Sequence, residues 1–315
     1  MGVGRHMVAG RHGRRGAAAA AAAGVGAALV CTVVVTGCAT TGAATDGPDG
    51  AGDADNAADS ATADGKPERD PLAAVRGAAD ALERAGTSRT RTSVRMASGG
   101  TRVTIRGTGG FDYGRRTGRL EVSRPQEPSG APTGKPITQL ITPGALYMKN
   151  RGAGVPADKW VRVDTTTLPD GNLVTSGATD PLTAAELLRG ARELSYVGTE
   201  RMDGAVVRHY SGVTDLGAAA RAATGAAREQ LAAAARGFAE DTVSFDAFLD
   251  GQARLRKVQH RFTFGAAGDG NGGGGSGHGS DTTVTSTTGM FGFGAPVDVA
   301  MPAPEDIYTG KIAAP

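Results

Sequence analysis

The spacing of apolar positions changes period at residue 87. Before it, Leu72, Val75, Ala79 and Leu82 recur at helical intervals behind Asp70-Pro71, where Asp caps the helix and Pro suits its first position; Gly86 supplies the stop. After it, Thr90, Thr92, Val94 and Met96 alternate with Arg89, Arg91, Ser93 and Arg95, the period of a strand. Val103 and Ile105 alternate with Arg102, Thr104 and Arg106, and Leu120 and Val122 with Arg119 and Glu121. This pattern predicts an antiparallel meander, wet on one face, whose wet side carries the arginines, with Arg115 and Arg116 among them. Ile137 to Met148 and Trp160 to Asp164 continue the sheet.

Asp180-Pro181-Leu182 repeats the opening of the first helix and predicts a second over Leu182 to Arg189, ended by Gly190. Strands resume at Leu194 to Val197 and at Val206 to Tyr210. Residues 216–239 are Ala-rich and predict a helix interrupted near Gly225. Val243 to Leu249 and Arg254 to Phe264 form a hairpin about Asp250-Gly251, a strong turn sequence. Residues 265–281 are dominated by Gly and are expected to form a mobile loop. Thr282 to Thr287 and Val297 to Met301 are the final strand candidates. The class is α+β, with one folded domain expected over residues 71–315.

The segment before this domain has a different character. Residues 1–15 are basic, and Gly16 to Gly37 is an uncharged Ala/Val run ending in Val35-Thr36-Gly37-Cys38. A run of that length also suits an uncleaved membrane anchor. The last four residues favour cleavage, because they resemble the lipobox of bacterial lipoproteins, in which the cysteine becomes diacylated. Residues 1–37 are accordingly expected to be a signal peptide. The Arg14-Arg15 pair is followed by Gly16-Ala17-Ala18 where a twin-arginine signal prefers large apolar residues, which favours the general secretory route. Two or three acyl chains such as palmitate on Cys38 would hold the chain at the extracytoplasmic face of the cell membrane. Residues 39–70 carry eight acidic and two basic side chains and no large apolar one, so a disordered acidic tether is expected there.

Charge and cysteine content narrow the chemistry. The formal charge of +2 divides into a basic leader, the acidic tether and a remainder of +4 over residues 71–315, which does not resemble a nucleic-acid binder. Cys31 and Cys38 are the two cysteines, so the folded domain can form neither a disulfide nor a cysteine-based metal site. Gly130 to Pro136 lacks the spacing of a phosphate-binding loop, and Asp269-Gly270-Asn271 lacks the closing Glu of a calcium loop, which is Ser280 here. Ser276, near His278, has neither the strand nor the helix of a nucleophile elbow. His209 and His260 lie in strands without partners at ligand spacing and are expected to be surface or satisfied residues. No enzyme, metal or cofactor is implied.

The order of these elements resembles that of the LppX/LprG-type lipoproteins of actinobacteria, relatives of the LolA/LolB carriers. The resemblance rests on the lipobox and tether, the Asp70-Pro71 helix, the arginine-studded meander, Lys159-Trp160-Val161-Arg162-Val163-Asp164, the Asp180-Pro181 helix, the hairpin from Ser244 to Val258, and Val297-Asp298-Val299. It implies a curved antiparallel half-barrel whose concave face is covered by helices and can hold acyl chains. An inner face of Val, Ile and Leu with little aromatic bulk would leave an apolar cavity, and Val103, Ile105, Leu120, Val122, Leu140, Leu146, Trp160 and Val258 are its expected lining. The implied function is binding or carrying a lipid, glycolipid or other amphiphile. The alternative is a non-enzymatic envelope sensor or scaffold that contacts a partner protein or an anionic wall polymer through the arginine-rich face.

Overall fold

The helix expected after Asp70 forms as two pieces, α1 (Pro71–Arg76) and α2 (Ala78–Ala85), divided at Gly77. The Asp70 carboxylate accepts from the Ala73 N–H at 2.9 Å, and Gly86 ends α2 at φ 77°. The computed structural model describes residues 69–98, 100–123, 135–151, 154–238, 240–264 and 282–310. All lie in the larger of the two units into which the chain divides, Ala58–Pro315. The signal segment, Cys38, the tether up to residue 68, and the Gly-rich loop with His278 fall outside the described residues.

Among the described residues, eleven strands form one antiparallel sheet. They are β1 (Thr87–Ser98), β2 (Thr101–Asp112), β3 (Thr117–Ser123), β4 (Ile137–Thr142), β5 (Ala145–Lys149), β6 (Trp160–Asp164), β7 (Ala191–Met202), β8 (Ala205–Asp215), β9 (Thr242–Leu249), β10 (Leu255–Phe264) and β11 (Thr282–Phe291). The order is β6-β5-β4-β3-β2-β1-β11-β10-β9-β8-β7, an open sheet in which β11 joins two meanders by pairing with both β1 and β10. The remaining helices are α3 (Pro181–Leu187), continued by a short 3₁₀ turn to Gly190, α4 (Leu216–Ala222) and α5 (Gly225–Gly237).

Several expected boundaries move for local reasons. Ile137 to Met148 is two strands, because Pro143-Gly144 turns the chain with Gly144 at φ 73°. The β9–β10 turn is longer than a two-residue hairpin: Asp250 accepts from the N–H groups of Gln252 and Arg254, and Ala253, not Gly251, takes the positive φ. The strand expected at Val297 to Met301 is absent. That stretch lies outside the ladder, and it crosses the sheet until Ile307 bridges the edge strand β6 and the Tyr308 N–H donates to the Trp160 carbonyl at 2.8 Å. The crossing covers one exposed edge. The other edge, β7, is interrupted by two register shifts and lined with Arg192, Glu193, Glu200 and Arg201.

Cross-strand register assigns the faces. Thr90, Thr92 and Val94 of β1 stand beside Gly109, Gly107 and Ile105 of β2, and beside Met290, Thr288 and Ser286 of β11, all on the side where the helices pack. Phe111 of β2 and Tyr210 of β8 belong to one buried cluster with Val75, Ala79 and Leu82 of the first helices. These strands are five places apart in the sheet, roughly 24 Å if it were flat. The sheet therefore wraps around the helices, giving the α+β half-barrel with a helix-covered concave face.

Candidate functional site: the concave face

Six of the eight expected lining residues share the concave face. Val103 and Ile105 point inward from β2, Leu120 and Val122 from β3, Leu146 from β5 and Val258 from β10, as their pairing with Met96, Val94, Gln139, Gly107, Ile141 and Thr288 shows. Leu120, Val122 and Leu146 form a buried cluster with Ile137, Met148 and Ala178, against which Ile105 packs. Val258 belongs instead to the cluster beneath α1 and α2.

Leu140 and Trp160 face the other way. Leu140 pairs with Arg119 and Tyr147, and Trp160 with Lys149, on the convex side. Leu140 is nevertheless fully buried. It stands on the face crossed by the C-terminal segment, which lies against Gly110 through Val297 and reaches β6 at Ile307. Trp160 is half-buried at the edge, with the Lys149 ammonium 5.5 Å from its ring.

The concave face is filled at one end. Phe111 and Tyr113 are fully buried there, and Tyr210, Phe245 and Phe262 are fully buried farther along the face, more aromatic bulk than the strand patterns suggest. Phe111 lies over Gly118, where a Cβ would come within 2.5 Å of the ring, so the missing side chain is what admits the aromatic. The segment between β6 and α3 closes over β2 to β5. Gln139 donates to the Ser176 carbonyl at 2.9 Å, Gly177 sits against Ile105, and the Thr179 and Ser286 hydroxyls are 2.8 Å apart. Between this segment, α3 and α5 remains a void of about 30 Å³, lined in part by Ile141, Leu146, Leu182 and Gln230, the share of a single water.

At the opposite end the face is less covered. Met96, Val103 and Ile105, neighbours at the tip of the β1–β2 hairpin, stay half-exposed although they point inward, as does Phe264 at the end of β10. The half-exposed apolar strip runs directly into the Leu120, Val122, Leu146 and Met148 cluster.

A band of small polar side chains crosses the centre of the face: Ser88, Thr90, Thr92, Ser286 and Thr288, with His260 beside Ser286 on β10. The Ser88 and Tyr113 hydroxyls are 2.7 Å apart, and Thr90 donates to the Gly289 carbonyl. Thr92 Oγ1 and His260 Nε2 are buried without a hydrogen-bond partner. Burial pushes the His260 imidazole down to about 3, so it is neutral near pH 7. This histidine is therefore not the satisfied strand residue expected. His209 is: its Nε2 lies 2.9 Å from Asp246, its Nδ1 3.4 Å from Glu200, and its ring stacks on Phe248. The polar band is the feature sequence reasoning missed, because Thr and Ser at strand spacing are equally suited to a wet face.

The wet face is the convex one, where Arg89, Arg91, Arg95, Arg102, Arg106 and Arg119 are exposed. Arg116 does not belong to it. Its guanidinium bonds Glu83 at 2.7 Å and the Thr224 hydroxyl at 2.9 Å, tying the β2–β3 turn to α2 and to the link before α5.

No protein-family model and no curated protein matches the sequence. Similar solved structures include the Mycobacterium tuberculosis lipoprotein LppX, at 14% identity over 73% of this chain and 97% of that one, TM-score 0.41. Lipoprotein LprF from Mycobacterium bovis is 12% identical over 76% of this chain and 100% of that one, TM-score 0.38. A LolA superfamily protein from Nitrosomonas europaea is 9% identical over 70% and 92%, TM-score 0.30. These are the groups to which the order of sequence elements pointed.

Proposed function

We propose that this protein is a lipoprotein, anchored through diacylated Cys38 at the extracytoplasmic face of the cell membrane, that binds the acyl part of a lipid, glycolipid or other amphiphile without catalysing a reaction. The observation that carries the reading is the half-exposed strip of Met96, Val103 and Ile105 on the concave face. Apolar side chains pointing inward along one continuous surface gain roughly 25 cal/mol for each Å² covered, and an acyl chain laid along the strip supplies that cover. The strip opens from the buried Leu120, Val122 and Leu146 cluster, so a chain entering at the hairpin end meets apolar atoms throughout. The helix-filled end sets the depth. The test is native mass spectrometry of the chain purified from membranes, with solvent extraction of the same sample. A lipid adduct displaced by a fluorescent fatty acid supports the reading; a chain that carries no lipid and does not take up the probe refutes it.

A further inference from the structure

The convex face carries a groove that lies apart from the strip assigned to acyl chains. The tip of the β7–β8 hairpin, Met202-Asp203, reaches over β1, β10 and β11 and encloses an open groove of about 470 Å³. That volume falls within the range of small-molecule sites. The floor is small, with Ser93, Thr287 and Gly289; the walls are Arg91, Arg106, Arg256 and Lys257.

Four cations thus face one carboxylate, and that carboxylate is loosely placed. Asp203 Oδ2 is 3.8 Å from Arg91 Nη1, with both side chains more than half exposed. Aromatic rings hold two of the cations in position: Arg91 Cζ lies 4.0 Å from the Phe291 ring centre and Lys257 Nζ 3.8 Å from that of Phe248. A ring steadies a cation through its face while leaving N–H groups free to donate elsewhere. Arg256 is shared with Asp250 at 3.7 Å, and among the described residues Arg106 has no ion-pair partner. Like charges gathered around one hollow repel, and a multiply charged anion with several acceptor oxygens relieves that repulsion.

We propose that this groove binds a phosphate group, with Arg91, Arg106 and Lys257 as the donors. The chemistry is shared by free phosphate and by a phospholipid head, and the test separates them. Binding of inorganic phosphate and of a short-chain phosphatidate below its micelle concentration is measured by titration calorimetry on the full chain in neutral detergent. Saturable binding is expected, weakened about tenfold or more by Arg106→Ala and by Lys257→Ala, with far-UV circular dichroism and melting temperature unchanged. Arg102→Ala, an exposed arginine of the same face beyond the groove, leaves it unchanged, and inorganic phosphate binding is likewise unchanged in Val103→Trp, which separates this site from the concave one. Phosphatidate bound much more tightly than phosphate by Val103→Trp identifies a lipid head in the groove; equal binding identifies free phosphate. Absence of saturable binding by both probes, or an equal loss in Arg102→Ala, overturns the proposal.

Discussion

Arg189 donates to the Asp80 carboxylate at 2.6 Å, a bond that joins the end of α3 to α2 across 109 residues of chain. The same guanidinium donates to Glu186 at 2.6 Å, and Glu186 is completely buried. Glu186 Oε1 in turn accepts from the Thr224 hydroxyl, which also accepts from Arg116, and Arg116 returns to α2 at Glu83. This closed circuit fixes the helices that cover the concave face. The hydrogen bond from Arg189 holds the Asp80 carboxyl below its ordinary value, and the same bond holds the Arg189 guanidinium charged.

Arg189→Met leaves the buried Glu186 carboxylate without its cation and is expected to destabilise the fold by about 3–5 kcal/mol. Replacing both members, Arg189→Met with Glu186→Met, should lose less than the single change. Urea denaturation of the two variants checks the order; a single variant no less stable than the double contradicts it.

His260 predicts a pH dependence whose sign follows from its lowered value. The unfolded imidazole takes up a proton near pH 6.5, whereas the buried one resists to about 3, so stability present above pH 6.5 is lost as pH falls through that window. The loss reaches about 2 kcal/mol between pH 6.5 and pH 5. His260→Leu, which removes the orphaned nitrogen, should flatten this slope without lowering stability at pH 7. Chemical denaturation at a series of pH values measures it.

The anchoring proposal is tested at Cys38. Cys38→Ala should leave the chain either released from the membrane fraction or unprocessed with its leader attached. Fractionation and intact-mass measurement report both outcomes, and a variant cleaved before residue 38 yet still bound to membrane contradicts the assignment.

Much of the sheet was legible because its inner and outer positions differ in chemistry. Trp160–Asp164 forms as read, the Asp70-Pro71 and Asp180-Pro181 starts both cap their helices, and the alternation in β1 to β3 gives the correct faces. The alternation failed where both sides of a strand are covered. Leu140 reads as concave lining on its apolar character alone, but it is fully buried on the convex side, the face crossed by the C-terminal segment. Arg116 reads as one more wet-face arginine, although its partners Glu83 and Thr224 are distant in sequence and meet it only through the fold. The inward Ser88, Thr90, Thr92, Ser286 and Thr288 were hidden for the converse reason, since neither size nor polarity marks them as interior.

The concave face is closed around Val122 and less covered at Val103. Val122 is buried among Leu120, Ile137, Leu146 and Met148, where added volume has no room, so Val122→Phe should cost about 1–3 kcal/mol of stability. Val103 is half-exposed on the same face, and a larger ring there meets the ligand's space. The decisive measurement is the lipid recovered per mole of protein from wild type and Val103→Trp, with the melting temperature of each. A marked fall in bound lipid is expected in Val103→Trp at nearly unchanged melting temperature. Lipid recovered in equal amount from both proteins, or none from wild type together with destabilised Val103→Trp, would contradict it.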